Sequence, residues 1–402
     1  MLGVGVHLVF LTNRGDRYRA FNNVALVDLI GSIGTKVEFP PPSFVSAVGP
    51  ATNARIRRSS SLYSLRWAAH TCCSEVTNKG MGMALMYAGI DEAGYGPMLG
   101  PLCVAQSTFV LEEWTPTDKA PDLWTILHHA ISKTKRDAKA KIPVADSKQL
   151  KLANSVVTSH PLVHLERAVL AFLGARDGSF PTTDSQLFES LGVRLDDQPW
   201  YAGEPIELPL GRAHDLLAID ASHLRTVMHK AGVELLDLHV RVVDVTEFNE
   251  IYHHRRSKAA ATERGLLDHL QTIHAHHHQQ DHTRIVCDRQ GGRMQYHAML
   301  SQVFAHLETQ EESPRASRYT QGDALGVLLT PKADDAYFPV ALASMAAKLV
   351  RELAMMRFNR YWSARNPELK PTAGYVQDAR RWLGEMQHEI TAEERQAMVR
   401  HA

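Results

Sequence analysis

The chain has 402 residues, 44 of them Lys or Arg and 44 Asp or Glu, so its formal net charge is zero. Global charge therefore points to neither a nucleic acid nor a membrane, and any electrostatic footprint must be local. An apolar share of 44% allows a sizeable core, and no segment approaches the roughly 20 continuous apolar residues of a membrane span. The four cysteines, Cys72, Cys73, Cys103 and Cys287, form no paired CxxC motifs. That excludes the usual sequence signatures of a zinc site and of a disulfide framework, and a reducing compartment is expected.

Residues 1–85 differ from the rest, with nine basic and four acidic residues, a Pro-Pro-Pro run and an Arg-Ile-Arg-Arg-Ser-Ser-Ser run. They read either as an Arg- and Ser-rich, acid-poor transit segment or as an extension preceding a true start at Met81, Met83 or Met86. The two readings imply organellar and cytoplasmic location respectively, with the cytoplasm as the default. From Met86 the pattern alternates strands and helices. Residues 87–90 and 102–111 are short apolar runs bounded by Gly and Pro, which predicts a hairpin closed by a Gly-rich turn. Helical spacing covers 162–173, 266–273 and 296–307, with strands expected at 239–245 and 284–288. Residues 176–235 break the rhythm with Asp, Pro and Gly clusters around one helical patch near 214–236, the pattern of an insertion. Residues 339–361 and 375–386 are strongly helical. The expectation is an α/β layered domain over 86–390 with a mixed central sheet flanked by helices, an inserted subdomain, C-terminal helices and a tail from 391.

Three acidic segments stand out. Asp91-Glu92 ends the first apolar run and enters Gly94-Tyr95-Gly96, where the backbone can turn both carboxylates toward one cation. Two unpaired anions would be costly to bury without one. Asp288 ends Arg284-Ile-Val-Cys-Asp, and ligands of open α/β sheets sit beyond the carboxyl ends of strands. Asp334 shortly precedes the last long helix, and Asp323 in Gln-Gly-Asp competes with it for a place in the set. Clusters with only oxygen donors suit Mg²⁺ or Mn²⁺ and not zinc. Two such ions about 4 Å apart serve phosphodiester cleavage.

These residues resemble the type 2 ribonucleases H (ribonucleases HII and HIII). Gly89-Ile-Asp-Glu-Ala-Gly-Tyr-Gly-Pro-Met-Leu-Gly-Pro101 is similar to the family's GIDEAGRGPxxGP motif. Asp146-Ser-Lys-Gln-Leu150 is similar to DSKxL, and Ala343-Ser-Met-Ala-Ala-Lys348 with Arg351-Glu352 to ASxxAKxxRD. Weaker likeness joins Val245-Thr-Glu-Phe-Asn249, Ile285-Val-Cys-Asp288 and Gly374-Tyr375 to further family segments. The resemblance implies a ribonuclease-H-like fold, with Asp91, Glu92, Asp288 and Asp334 as catalytic ligands of a two-ion Mg²⁺ or Mn²⁺ site. It implies hydrolysis of RNA in RNA–DNA hybrids or ribonucleotide-containing duplexes; separately, a monomer with no membrane partner is expected. Gly94, Tyr95, Gly96, Lys148 and Tyr375 become the candidate substrate contacts, Lys148 to phosphate and Tyr375 by stacking.

The chain departs from the family pattern in three places. Tyr95 stands where the family has an arginine, which removes a charged, forked donor and leaves a hydroxyl or a ring. The stretch between Asp288 and Asp334 is long, and the 176–235 insertion has no counterpart. A non-catalytic hybrid binder and a nuclease for another nucleic-acid structure are the alternative readings. Two further clusters are a His-rich tract at 274–282, read as a solvated helix end and not a metal site, and a basic patch at 253–258, read as a candidate phosphate contact.

Overall fold

The computed structural model describes residues 83–115, 119–277 and 280–401. The expectations for residues 1–82 fall outside them. In chain order the elements are β1 (Met83–Ala93), β2 (Leu102–Trp114), α1 (Leu123–Ile126), β3 (Ile131–Ser132), β4 (Ile142–Pro143), α2 (Ser147–Leu150) and α3 (Val163–Asp177). Next come α4 (Asp184–Ser190), α5 (His214–Lys230), β5 (Val233–Val243), α6 (Val245–Arg255), α7 (Ala259–His277), β6 (His282–Asp288) and α8 (His297–Leu300). The chain continues with β7 (Glu308–Glu312), β8 (Ser317–Gln321), β9 (Leu325–Thr330), α9 (Ala333–Ala336), α10 (Phe338–Arg365), α11 (Val376–Glu385) and α12 (Ala392–Met398).

Seven strands form one mixed sheet in the order β5-β2-β1-β6-β9-β8-β7. β1 pairs antiparallel with β2 and parallel with β6, which in turn runs parallel to β9. This is the expected mixed α/β architecture, with helices on both faces. With a period of two and a core on each face, β1 is apolar from Met83 to Ile90, before its acidic end at Asp91-Glu92. Leu85 and Tyr87 face a core shared with α3 and α10, whereas Met86, Ala88 and Ile90 face a second core that holds Leu266, Leu270 and Ile273 of α7. No helix among the described residues is long and apolar enough to cross a membrane.

Helix α10 begins with Pro339 in its first turn, where a missing N–H costs nothing. Ser107 of β2 donates to the Pro339 carbonyl at 2.7 Å. Gly89 of β1 lies directly beneath this helix start, and a Cβ there would run into the backbone of Pro339 and Val340. Backbone cannot yield as a side chain can, so Gly89→Ala is expected to destabilise the fold by about 1–3 kcal/mol or more. A denaturant midpoint equal to that of the unaltered chain would contradict this close approach.

The sequence reading needs four corrections. Residues 308–330, given no element, supply β7, β8 and β9. Residues 296–307 form a single helical turn, although Tyr296, Met299, Leu300, Phe304 and Leu307 are all buried as their spacing requires. Strand β5 begins at Val233, inside the stretch read as helical, because α5 stops at Lys230 before a left-handed Gly232. The residues read as a tail carry α12, closed by a capping box between Thr391 and Glu394. The insertion packs against α3 and α10. Its Asp184 forms a buried pair with Arg357 at 2.6 and 2.7 Å, and Arg357 also donates to the Tyr201 carbonyl.

Candidate active site

Ile90 lies opposite Cys287 in the parallel β1–β6 pair, so Asp91 and Asp288 emerge level with each other at the carboxyl ends of neighbouring strands. Such strands are about 4.8 Å apart. Strand parity puts both on the α10 face, because Tyr87 and Val286, even numbers of residues away, belong to that core. The main-chain N–H of Ala333 donates to Asp288 Oδ1 at 2.9 Å, which ties the start of α9, and so Asp334, to β6. Glu92 follows Asp91, and its N–H donates to Asp91 Oδ1 at 2.8 Å.

The electrostatics register this crowding. Burial, then the charges of Glu92 and Asp288, hold the Asp91 carboxyl well above the usual carboxylate range, while a hydrogen bond to Ser344 opposes them. Glu92 is pushed up to about 7 by burial and by Asp288, against the pull of Lys148. Asp334 rises to about 6 through burial, Asp146 and Asp288, and Asp288 is raised by burial although backbone N–H groups and Lys148 oppose it. Like charges disfavour joint ionisation. Lys148, exposed at the start of α2, is the cation that counters three of the four carboxylates.

Asp146 belongs to this neighbourhood; it lies in the Asp146-Ser-Lys-Gln-Leu150 motif, from which the sequence reading names only Lys148 as a site residue. It caps α2, accepting from the Lys148 N–H at 2.7 Å, and it faces Asp334. Ser147 Oγ lies 3.0 Å from Ser344 Oγ, which joins α2 to the helix that supplies the Asp91 hydrogen bond. Apart from that resemblance, the residues themselves signal only a helix cap. Asp323 is elsewhere. It lies in the turn before β9, its carbonyl bonded to His282 and Arg284 at the opposite end of β6, about five residues or roughly 17 Å of strand from Asp288.

The loop after β1 carries Gly94, Tyr95 and Gly96. Gly94 has φ +93°, a left-handed conformation natural to glycine. Tyr95 is 39% exposed and Tyr375, at the start of α11, is 51% exposed. The Gly374 carbonyl accepts from Met98 and Leu99 at 2.7 and 3.1 Å, so the segments bearing the two tyrosines are bound together. At Gly96 a Cβ would meet nothing within 4 Å.

Among the described residues no group of three or more His, Cys, Asp or Glu side chains is arranged to hold a metal ion. The donor set nevertheless fits a hard divalent cation in its chemistry: oxygen only, desolvated and mutually repelling. In the His-rich tract, His277 Nδ1 sits 2.8 Å from Thr283 Oγ1 and His274 packs edge-on against Phe304. Residues 278 and 279 of that tract are outside the described ones. Of the 253–258 patch, Arg255 faces Glu263, which also pairs with Arg293 from outside the patch and so neutralises part of the local charge.

No family model matches the chain, and no curated protein matches it. Solved structures that align with it include a chain of the PCNA:RNase HII complex from Archaeoglobus fulgidus, at 16% identity over 78% of this chain and 93% of that one, TM-score 0.35. Another is the ribonuclease H2 of Pyrococcus horikoshii OT3, at 19% identity over 77% and 92%, TM-score 0.37. A third is Bst-RNase HIII in complex with Mn²⁺, at 16% identity over 83% and 76%, TM-score 0.32.

Proposed function

We propose that this chain is a divalent-cation-dependent nuclease of the type 2 ribonuclease H kind that hydrolyses the RNA strand of RNA–DNA hybrids. The observation that supports the reading most is geometric: Asp91 and Asp288 end neighbouring parallel strands, Glu92 follows Asp91, and the Ala333 N–H ties the turn bearing Asp334 to Asp288. These four carboxylates would hold Mg²⁺ or Mn²⁺. The cations would supply positive charge at the scissile phosphate and ease the deprotonation of water.

The chain's own residues have separate tasks. Ser344 orients Asp91, and the Ala333 N–H orients Asp288. Lys148 offers an exposed ammonium beside the carboxylates, suited to a backbone phosphate. Tyr95 and Tyr375 offer exposed rings or hydroxyls to the sugar and base of a duplex. The open space around Gly96 is consistent with close approach of a nucleic-acid backbone, since this fold does not itself require a glycine there. Gly96→Val is therefore expected to leave thermal stability unchanged and to raise KM for hybrid roughly tenfold, about 1.4 kcal/mol of binding. An unaltered KM would remove Gly96 from the contact surface.

The deciding experiment incubates the full chain with an RNA–DNA hybrid, a duplex carrying one ribonucleotide, and plain DNA, each with Mg²⁺ or Mn²⁺. Cleavage of the hybrid is expected. Because Tyr95 replaces a charged donor with a neutral one, cutting at the single ribonucleotide is expected to be weaker. Binding of hybrid without cutting would favour a non-catalytic binder, and cleavage of DNA alone would favour a nuclease for another structure.

A further inference from the structure

The 94–100 loop is held by a residue three hundred positions away. Arg400, 3% exposed, donates from Nε and Nη2 to the Gly100 carbonyl at 2.9 and 2.5 Å and from Nη1 to the Gly94 carbonyl at 2.5 Å. One guanidinium thus ties the two ends of the loop together. Around it, the Arg400 N–H donates to the Met98 carbonyl at 2.9 Å, and Leu99 and Val399 form an antiparallel bridge. Asn249 of α6 fixes the same stretch from the other side, donating to the Val399 carbonyl at 2.9 Å and accepting from the His401 N–H at 2.7 Å. The Arg400 guanidinium also lies 4.9 Å from the centre of the Phe248 ring.

A second buried guanidinium, Arg351 of α10, donates to the carbonyls of Leu99 and Ala373 at 3.3 and 3.0 Å, and its Nε has no hydrogen-bond partner. Among the described residues neither arginine takes part in an ion pair. Burying a cation without a counter-ion is expensive. A neutral side chain would close a structural loop at lower cost, so the charge and the fork call for another explanation. Both arginines lie under the loop that bears Tyr95, and Arg351 is also 5.8 Å from the Tyr375 ring.

We infer that Arg400 is a positioning residue for substrate: by clamping Gly94 to Gly100 it sets the shape in which the loop presents Tyr95 and its main chain to a nucleic-acid backbone. This rests on the nuclease reading for the identity of the substrate, while the clamp itself does not. The test compares the full chain with Arg400→Ala and Arg400→Lys by steady-state hybrid cleavage and by hydrogen exchange at the amides of Met98 and Leu99. Charged hydrogen bonds are worth enough for a loss of roughly tenfold or more. Arg400→Ala is expected to raise KM by that factor with kcat nearly unchanged, and to speed exchange at both amides.

Arg400→Lys keeps the charge but cannot span two carbonyls with a fork, so an intermediate KM is expected. It also serves as the test variant if Arg400→Ala fails to fold. A merely structural role would lower thermal stability and kcat without a selective rise in KM. Unchanged KM in both variants overturns the positioning role, and unchanged exchange overturns the clamp. If the unaltered chain cuts no hybrid, the nuclease reading falls and the exchange data alone decide whether Arg400 holds the loop.

Discussion

Asp91→Asn is expected to lower hybrid cleavage by about a thousandfold or more while hybrid binding stays within a few-fold. The reasoning starts from position. Asp91 is the most enclosed of the four carboxylates, 7% exposed, and it faces Glu92 and Asp288. Cation charge at a phosphoryl oxygen contributes several kcal/mol to phosphodiester cleavage, and each 1.36 kcal/mol is tenfold in rate, so losing one central ligand reaches that scale. Asparagine preserves size and the contact with Ser344. Substrate contacts would come mainly from the loop, Lys148 and Tyr375, which the substitution leaves in place. Single-turnover cleavage together with a direct binding assay separates the two quantities, and full activity in this variant would remove Asp91 from the chemistry.

The second large effect concerns stability. Glu92 is pushed up from its ordinary 4.5 to about 7, Asp334 up to about 6, and Asp91 upward as well, all led by burial. A raised carboxyl pKa means that the folded chain holds the proton more tightly than the unfolded chain. The stabilising contribution is then complete below the unfolded pKa and disappears as pH rises through the folded one. Metal-free protein is accordingly expected to lose on the order of 3 kcal/mol between about pH 4.5 and 7, the carboxylates titrating as a coupled group. Mg²⁺ at neutral pH should recover much of that loss by binding the folded state alone. Asp91→Asn should reproduce part of the recovery without any cation, because it removes one of the repelling charges. Denaturant unfolding at pH 5 and pH 7, with and without Mg²⁺, checks all three statements, and a flat response to pH and Mg²⁺ would contradict them.

How far the sequence carried this picture depended on where the determining contacts lie. The β1–β2 hairpin, β6 and α10 were readable because each is a continuous apolar run whose period matches its element. Asp91, Glu92 and Asp288 stood out as candidates because they end such runs. The β7 to β9 segment was not. Glu308–Glu312 is an edge strand of mostly exposed polar residues, so it has no buried face to impose a two-residue period. Residues 296–307 show the converse case: their apolar spacing located the buried side chains correctly but not the backbone, which turns after Leu300 and passes through a left-handed His306. Distance along the chain to the Ala343-Ser344 helix favours Asp334 over Asp323, whereas the place of Asp323 at the far end of β6 follows from the β6–β9 pairing, a contact that no local pattern encodes. Arg400 was the least legible of all. It sits in a polar, charged stretch that reads as a solvated end, and only its tertiary partners Gly94 and Gly100 distinguish it.

Calorimetric titration of Mn²⁺ into the metal-free chain, run beside Asp91→Asn and Asp288→Asn, reaches the central question most directly. Saturable binding in the unaltered chain that both substitutions weaken strongly is the predicted result. Binding that is absent, or that survives both substitutions undiminished, would mean that these carboxylates do not act together as a cation site.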